Sequence, residues 1–433
     1  MAVFSFGSFV LDVSERRVTH AGKPLVLTGK TFDVLRLLVE ARGRLVERET
    51  FAAKLWAGAT VEQRNLTVHV STLRKGLMRA DPSVDPIETV ARSGYRLALP
   101  VHDVATGSHD RRLLSDIASL LHQAHEQLDR DERVPALKAL TLFERVLVLD
   151  PDSAEAHAGL AVTYLLLSLT RIRRPLPMEE AAQLARDSAG RALALDGRQA
   201  EAWTVLGQIK MLYAWDWAGA EADLAHAVAV GPRSAHAHEA RGLFLSAVGR
   251  HDEAILSYVV ASELTPRRSR TLEALGLARW SAGDGAGGLA TLNAASSLDP
   301  TARRPHFRLM VVLDQLGRHD EAMAARCTWL ELFDDAPFSA RLMELHRSGH
   351  HRTAMVEWIA RLNRLDQHLE VALQSMVIDD RTASIAALQR CVDTRADGLV
   401  LAGCAPSFRP LAGDPRYEAI LRTLGLHRFA ATT

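Results

Sequence analysis

The apolar positions of the chain follow two different periods, and the change near residue 100 predicts two domains. Before it, short alternating runs predict four β-strands at 3–6, 9–12, 17–20 and 24–27, with turns at Gly7 and Gly22. From Thr28, a suitable N-cap, helical spacing predicts a first helix that ends near Gly43. A second helix follows over about 47–56.

A third helix and a hairpin complete the predicted N-terminal fold. The helix runs over about 61–78, and its apolar residues repeat at one face: Leu66, Val70, Leu73 and Leu77. The hairpin strands are 87–90 and 95–99, and the tip is formed by residues 92–94. We predict that Gly94 provides a positive φ there.

The other face of the third helix has an unusual composition. It lacks acidic residues between Gln63 and Ala80, and it carries basic and hydroxyl side chains: Arg64, Thr67, Ser71, Thr72, Arg74, Lys75 and Arg79. An α-helix fits the major groove of B-DNA, arginine can bond guanine twice, and serine or threonine can bond several base edges. One interpretation is a DNA-reading helix, and the other is a solvated surface helix with several arginines.

Past residue 110 the chain repeats with a period of 34. Pro232, Pro266 and Pro300 stand 34 residues apart, as do Gly242 and Gly276. A fixed period with small residues at recurrent sites predicts two antiparallel helices per unit, packed closely where the side chain is small. The repeats are clearest over 200–334, a unit with an insertion starts near Gly159, and degenerate capping helices are expected over 337–433.

Charge divides along the same boundary. Residues 1–100 hold 15 Lys and Arg against 10 Asp and Glu, whereas the remainder holds 37 against 42. A mildly basic N-terminal domain on an acidic body indicates that only the former meets a polyanion.

The combined N-terminal motifs closely resemble the OmpR/PhoB-type winged helix. The resemblance is carried by residues 27–35, 43–46, 55–56, 65–77, 89–90 and 94–97 and covers nearly all of 3–100. It implies that the third helix enters the major groove and that the hairpin wing touches the minor groove. The residues it places on DNA are Arg64, Thr67, Val68, Ser71, Thr72, Arg74 and Lys75 of the helix and Arg92 and Arg96 of the wing. Ser71 and Thr72 replace a basic pair often found in the family, so its base preference is not transferred.

The C-terminal repeats resemble tetratricopeptide repeats (TPR). Trp203, Leu206 and Gly207 match the first helix of the unit, and Ala220, Leu224 and Ala227 match the second. First helices of such a solenoid line a concave surface. We expect that groove to bind a protein or peptide through Glu201, Gln208, His236, Glu239, Arg270, Glu273, Trp280, Arg304 and Phe307. Ordinary solvated repeat positions are the alternative for about half of them.

The sequence offers little support for catalysis, cofactors or metals. Three widely spaced cysteines, Cys327, Cys391 and Cys404, predict buried free thiols rather than disulfides or structural zinc. His122 with His125 and His346 with His350 have spacings that allow a shared metal, but neither pair has a clustered acidic or thiol partner in sequence. Phosphate loops and nucleophile elbows are not recognisable. We therefore expect no enzyme activity, no cofactor and no metal site.

The fold class expected is mainly α: a small α+β winged helix-turn-helix domain (1–101), a linker (102–110) and an all-α TPR-like solenoid (111–433). Without an apolar run long enough for a bilayer, a cytoplasmic location and no membrane contact are expected. The function expected is a one-component, sequence-specific transcriptional regulator whose solenoid senses a protein, peptide or other effector or forms oligomers. Further expected partners are a second copy of the chain and RNA polymerase, the latter through the loop 57–63. The alternative is a TPR adaptor whose winged helix docks proteins.

Overall fold

The structure, a computed structural model, describes residues 3–56, 63–82, 85–104, 108–128, 133–169 and 177–429. The chain divides into two compact units. The first consists of Met1–Val205 with Ala227–Ser234, and the second of Leu206–His226 with Ala235–Thr433. The first unit thus contains the strand-rich N-terminal region together with the earliest helical pairs.

Eight short strands form two antiparallel sheets in the described part of the first unit. They are β1 (Val3–Phe6), β2 (Phe9–Asp12), β3 (Arg17–His20), β4 (Lys23–Leu25), β5 (Val46–Glu47), β6 (Ile87–Val90), β7 (Gly94–Leu97) and β8 (Val101–Val104). The larger sheet has the order β4-β3-β2-β1-β8 and the smaller one β5-β7-β6. The four strands predicted at the N-terminus and the hairpin are confirmed.

The predicted linker is in part a strand and in part a helix. Backbone groups of β8 pair with β1, in a register that sets Val104 opposite Val3, and the next helix already begins at Ser108. The physical reason is that the edge of β1 offers backbone hydrogen-bonding groups that need partners. The bounds predicted for the linker, 102–110, therefore overlap the end of β8 and the start of that helix.

Three helices accompany the sheets: α1 (Gly29–Glu40), α2 (Arg48–Leu55) and α3 (Gln63–Ala80). Thr28 is the N-cap of α1, as predicted, and its hydroxyl lies 2.8 Å from that of Thr31. The apolar face of α3 is buried at all four predicted positions and packs in one core with the side chains of Phe4, Phe6, Phe9 and Phe51. The sheets and helices together give the winged helix that the sequence predicts.

Gly94 does not have the predicted positive φ; the hairpin turn places that conformation at Arg92, with φ 64°. Gly94 belongs to β7 and pairs with Glu47 of β5. A Cβ atom at this position would collide with the carbonyl oxygen of Val46. Glycine is required here because two backbones approach closely, not because the turn needs a left-handed residue.

Helices make up most of the rest of the described chain. Their bounds are α4 (Ser108–Leu128), α5 (Arg133–Leu149), α6 (Ala154–Leu169), α7 (Met178–Leu195), α8 (Ala200–Ile209), α9 (Trp217–Val230), α10 (Ala235–Ala247), α11 (His251–Leu264), α12 (Ser269–Ser281), α13 (Gly285–Leu298), α14 (Arg303–Gln315), α15 (His319–Glu331), α16 (Ala336–Arg347), α17 (His351–Arg364), α18 (His368–Val377), α19 (Arg381–Asp393) and α20 (Pro415–Thr423). A π-helical turn, Lys210–Ala214, follows α8, and 3-10 turns occur at Asp397–Leu401, Pro406–Leu411 and Leu426–Arg428.

The helix starts confirm the period of 34. The first helices α10, α12 and α14 begin at Ala235, Ser269 and Arg303, and each is followed by its antiparallel partner. The recurrent small residues lie at the helix crossings. A Cβ atom on Gly242 would be 2.8 Å from Tyr258, and one on Gly276 would be 2.8 Å from Leu292. The repeats therefore use glycine to bring the helices of a pair together.

The C-terminal part of the second unit contacts its beginning. Trp217 at the start of α9 donates from Nε1 to the Leu424 carbonyl at 2.7 Å, and its ring lies 6.0 Å from that of Phe429. The helices α16 to α19 before this tail are regular helices of 10 to 14 residues. The capping segment predicted at 337–433 thus includes well-formed helical pairs as well as irregular turns.

Polar groups cross the interior of the second unit. The guanidinium of Arg326 is fully buried and donates to Asp314 and, at 2.9 Å, to the side-chain oxygen of Gln374.

A pair of histidines also lies in this unit, where Nδ1 of His351 is 2.9 Å from Nδ1 of His346. Burial lowers the pKa of His351 to about 4, and the positive charges of His319, Arg326 and His346 add to the shift.

Replacement of Gly159 by alanine should destabilise the first unit by about 1–3 kcal/mol, because the new methyl group would overlap the ring of Phe143. Gly190 in α7 is the matched control, since no atom lies within 4 Å of its added Cβ. Gly190→Ala should stabilise by about 0.5–1 kcal/mol through helix propensity alone. Denaturant unfolding of both variants measures the difference, and equal effects would contradict the proposed packing.

Acid should destabilise the protein through His351. Its folded pKa of about 4 lies below the ordinary value near 6.5, so the unfolded state binds the proton first as the pH falls. Stability present above about pH 6.5 is therefore lost between about 6.5 and about 4. We expect His351→Gln to flatten the pH dependence of the denaturation midpoint over this range. A titration of the His351 ring by NMR with an unshifted midpoint would refute this expectation.

Candidate functional site

The outward face of α3 is open to solvent within the first unit. Leu66, Val70, Leu73 and Leu77 face the core, and over the part of the helix whose side chains are described, 66–80, the exposed residues are Thr67, Val68, Ser71, Thr72, Lys75 and Arg79. Val68 has 60% of its surface exposed although it is aliphatic. The outward face of α3 thus consists of short hydroxyl and aliphatic side chains, with cationic side chains toward the C-terminal end of the helix.

Two sequence predictions fall outside what the structure describes. The side chain of Arg64, which lies in the first turn of α3, is one of them. The loop 57–63 expected to contact RNA polymerase is the other, since its residues 57–62 are not described. Both stay predictions.

Arg74 joins α3, the predicted recognition helix, to the hairpin β6–β7, the predicted wing. Its Nε atom donates to Oδ1 of Asp85 at 3.2 Å, and its Nη2 atom donates to the Ile87 carbonyl and, at 3.2 Å, to the Thr89 hydroxyl. These partners precede or belong to β6. In the structure the guanidinium of Arg74 bonds α3 to the wing, and its contact with the DNA backbone stays a prediction.

The wing carries one charged pair and one exposed basic tip. Arg96 of β7 makes two hydrogen bonds with Glu88 of β6, at 2.7 and 2.8 Å. The Arg96 hydrogen bond lowers the pKa of the Glu88 carboxyl, with a smaller contribution from Arg198. Arg92 lies exposed at the turn. Arg96 is thus paired within the hairpin, whereas Arg92 is exposed at its tip, and contact of either residue with DNA stays a prediction.

A small polar and aromatic cluster supports the N-terminal half of α3. The Thr31 hydroxyl lies 3.1 Å from Nδ1 of His69 on α3, whose ring is 5.9 Å from that of Trp56. Lys30 lies 5.6 Å from the Trp56 ring and donates to the Leu55 carbonyl. Sequence reasoning missed the roles of Lys30 and His69, because neither residue type at that spacing indicates a contact. The cluster fixes α3 against α1 and the end of α2.

The predicted groove residues of the second unit differ widely in exposure. Gln208, Glu273 and Phe307 are buried, whereas His236, Glu239, Arg270 and Trp280 are half-buried and Arg304 is exposed. Several of these side chains are bonded within the unit. Glu273 pairs with Arg304 and Arg308 at 3.4 Å, and Trp280 donates to Gln315 at 3.0 Å.

Burial reduces the number of predicted groove residues that can contact a partner. Gln208, Glu273 and Phe307 offer little surface to a partner, so the contact prediction rests on the more exposed positions. Glu201 belongs to the first unit, where it accepts a hydrogen bond from Ser234 at 2.6 Å.

Three further features concern possible metal ligands, the cysteines and the length and polarity of the helices. Over the described ranges, His, Cys, Asp and Glu side chains do not form a group of three that could hold a metal ion. Cys327 and Cys391 are buried free thiols as predicted, and Cys404 is half-buried. Within the same ranges the helices are too short or too polar to cross a membrane.

Known proteins match the N-terminal region in sequence. The family described as "Transcriptional regulatory protein, C terminal" matches residues 22–97. Transcriptional regulator HilA of Salmonella typhi is 31% identical over 98 residues, 23% of this chain and 17% of that protein. Transcriptional regulatory protein CreB of Escherichia coli K12 is 30% identical over 96 residues, 22% of this chain and 42% of that protein. The chain thus spans less than half of the length of both relatives.

Two solved structures are similar to the two parts of the chain. The DNA-binding domain of Escherichia coli CadC is 27% identical, covers 24% of this chain and 97% of its own, and has a TM-score of 0.23. A TPR protein of Thermus thermophilus, TTC0263, is 24% identical, covers 46% of this chain and 98% of its own, and has a TM-score of 0.36.

Arg74→Ala should loosen the wing. Loss of its bonds to Asp85, Ile87 and Thr89 is expected to lower the local free energy of unfolding of the hairpin by about 1–2 kcal/mol. Lys75→Ala, one residue further along α3 and exposed, should change it by less than about 0.5 kcal/mol. Amide hydrogen exchange over residues 87–97 measures both. Equal protection in the two variants would show that Arg74 does not hold the wing.

Proposed function

We propose, from the premise that residues 22–97 are an OmpR/PhoB-type domain of transcriptional regulators, that the chain is a one-component regulator that binds specific DNA sequences. In this proposal α3 lies in the major groove and the hairpin lies over the adjacent minor groove. The observation that carries the proposal is the exposed face of α3. It is free of acidic residues from Gln63 to Ala80 and is seated on the core by its opposite side.

The exposed side chains of α3 and the wing differ in the DNA contacts that they can make. Thr67, Ser71 and Thr72 carry hydroxyl groups that can donate to or accept from base edges, and the exposed Val68 can contact a thymine methyl group. Lys75 and Arg79 near the helix end, and Arg92 at the wing tip, suit phosphate contacts. Arg64 remains a proposed base contact on the family resemblance.

The electrostatic part of binding should be moderate. Arg74 and Arg96 are both bonded to carboxylates inside the domain, so their charges are already offset by Asp85 and Glu88. Each phosphate contact that remains adds to the salt dependence of binding. A small number of contacts therefore favours discrimination by bases over tight binding to any duplex.

The helical body, defined as the helices and turns from α4 (Ser108–Leu128) onward, is proposed to sense a protein or peptide. The exposed or half-buried positions His236, Glu239, Arg270, Trp280 and Arg304 on first helices of the second unit support this role. A single winged helix reads few base pairs, so we propose that two copies bind half-sites about 10–10.5 base pairs apart. Contact of the loop 57–63 with RNA polymerase, a cytoplasmic location and a non-catalytic role complete the proposal.

Binding to DNA should be selective and salt-dependent. Enrichment of random duplexes on the full chain, followed by gel shifts at several salt concentrations, should give a log affinity that falls linearly with log salt. Thr72→Ala, like Arg64→Ala, should cost about 1–3 kcal/mol and relax preference at one position. Lys75→Ala should weaken binding equally on all sequences and reduce the salt slope by about 1.

Two outcomes would reject these assignments. Equal weakening by Thr72→Ala on every sequence would make Thr72 a phosphate contact rather than a base reader. Absence of DNA binding at low salt would reject the regulator and favour the adaptor, in which the winged helix docks a protein.

A further inference from the structure

A residue of the helical body contacts the segment that leaves the recognition helix. Arg233 lies in the turn between α9 and α10, and its Nε and Nη2 atoms both donate to the Pro82 carbonyl, at 3.2 and 3.1 Å. The two residues are 151 positions apart in sequence and belong to the same compact unit. Proline has no backbone N–H, so this carbonyl is the backbone group through which Pro82 can be held by hydrogen bonds.

The residue before Pro82 is held from the winged-helix side. The backbone N–H of Asp81 donates to the Leu77 carbonyl at 2.8 Å and thus extends the bonding of α3. The carboxylate of Asp81 accepts from the Ser8 hydroxyl at 2.8 Å and lies 3.9 Å from Nε2 of His20. The end of α3 is therefore fixed by its own domain at Asp81 and by the helical body at Pro82.

The turn that presents Arg233 is well fixed. Ser234 donates from its backbone to the Gly231 carbonyl at 2.9 Å and from its hydroxyl to Glu201 at 2.6 Å. Gly231 packs so closely against Ala200 that a Cβ atom on it would collide with that residue. Because the turn is already ordered, fixing Pro82 through Arg233 requires little additional loss of backbone entropy.

We propose that Arg233 is a positioning residue for DNA recognition, and this inference rests on the proposed function. It holds Pro82, which lies in sequence between α3 and β6. On one side of Pro82 is α3, and on the other Asp85 is bonded to Arg74 just before β6 begins. The helical body thereby adds a restraint on Pro82 to those that Asp81 and Arg74 already make on either side of it.

The contact is compatible with DNA binding. The outward face of α3 is exposed in the same structure in which Arg233 bonds Pro82. The phosphate contacts of the wing and of the end of α3 fix the register of the base-reading face on the duplex, and binding to an unrelated duplex does not depend on that register. Loss of the Arg233 contact should therefore reduce binding to the preferred sequence and leave binding to unrelated duplex unchanged.

The test compares variants of the full chain on the enriched duplex and on an unrelated one. Arg233→Ala should lower affinity for the enriched duplex by about two- to tenfold, with unchanged affinity for the unrelated duplex and an unchanged salt slope. Arg233→Lys, which retains a donor, should restore part of the loss. Arg186→Ala is the matched control, since Arg186 is an exposed arginine on α7 bonded to Gln183 of the same helix.

Each possible result either supports or contradicts the positioning role of Arg233. The ratio of specific to non-specific affinity separates positioning from general stability, because partial unfolding would lower both affinities. Equal ratios for Arg233→Ala and the parent chain would overturn the inference and leave the proposed function standing. A higher specific affinity in Arg233→Ala would also overturn it, since the contact would then restrain binding. Failure of the parent chain to select any sequence would reject the proposed function and the inference together.

Discussion

The burial of one side of α3 is the constraint on which the rest of the N-terminal domain depends. Leu73 and Leu77 have no solvent exposure, and Leu66 and Val70 are nearly as well buried. Burying each such side chain contributes about 1.5–3 kcal/mol, far more than a typical surface contact of the helix. With four apolar residues on one face, the helix has one favourable rotation about its axis. That rotation directs the hydroxyl side chains of the opposite face outward.

Arginine side chains bond neighbouring elements together at several points of this molecule. Arg74 bonds the wing, Arg96 bonds Glu88, and Arg233 bonds the Pro82 carbonyl. The rigid, planar guanidinium can donate to several acceptors at once, which suits it for holding loops and hairpins. Cationic residues near the proposed DNA-reading face therefore shape the surface as well as charge it.

The elements of the winged helix and of the repeats could be predicted because each has a local signal: alternation in the strands, helical spacing in α3 and the period of 34. Contacts between distant residues have no such signal. The partners of Arg74 come close only when the hairpin folds, and the turn conformation assigned to Gly94 was wrong because its requirement for glycine comes from β5. Likewise, whether Gln208 or Phe307 faces solvent depends on neighbouring helices rather than on spacing.

The hydrogen bond from the Trp217 indole to the Leu424 carbonyl connects residues 207 positions apart. In an open repeat array each unit touches only its neighbours, so end units can fray while the middle stays folded. A clasp between the opening and closing segments removes one of those free ends. Unfolding of α20 would then remove a contact of α9. Unfolding of the second unit is therefore more cooperative than that of an open array of the same length.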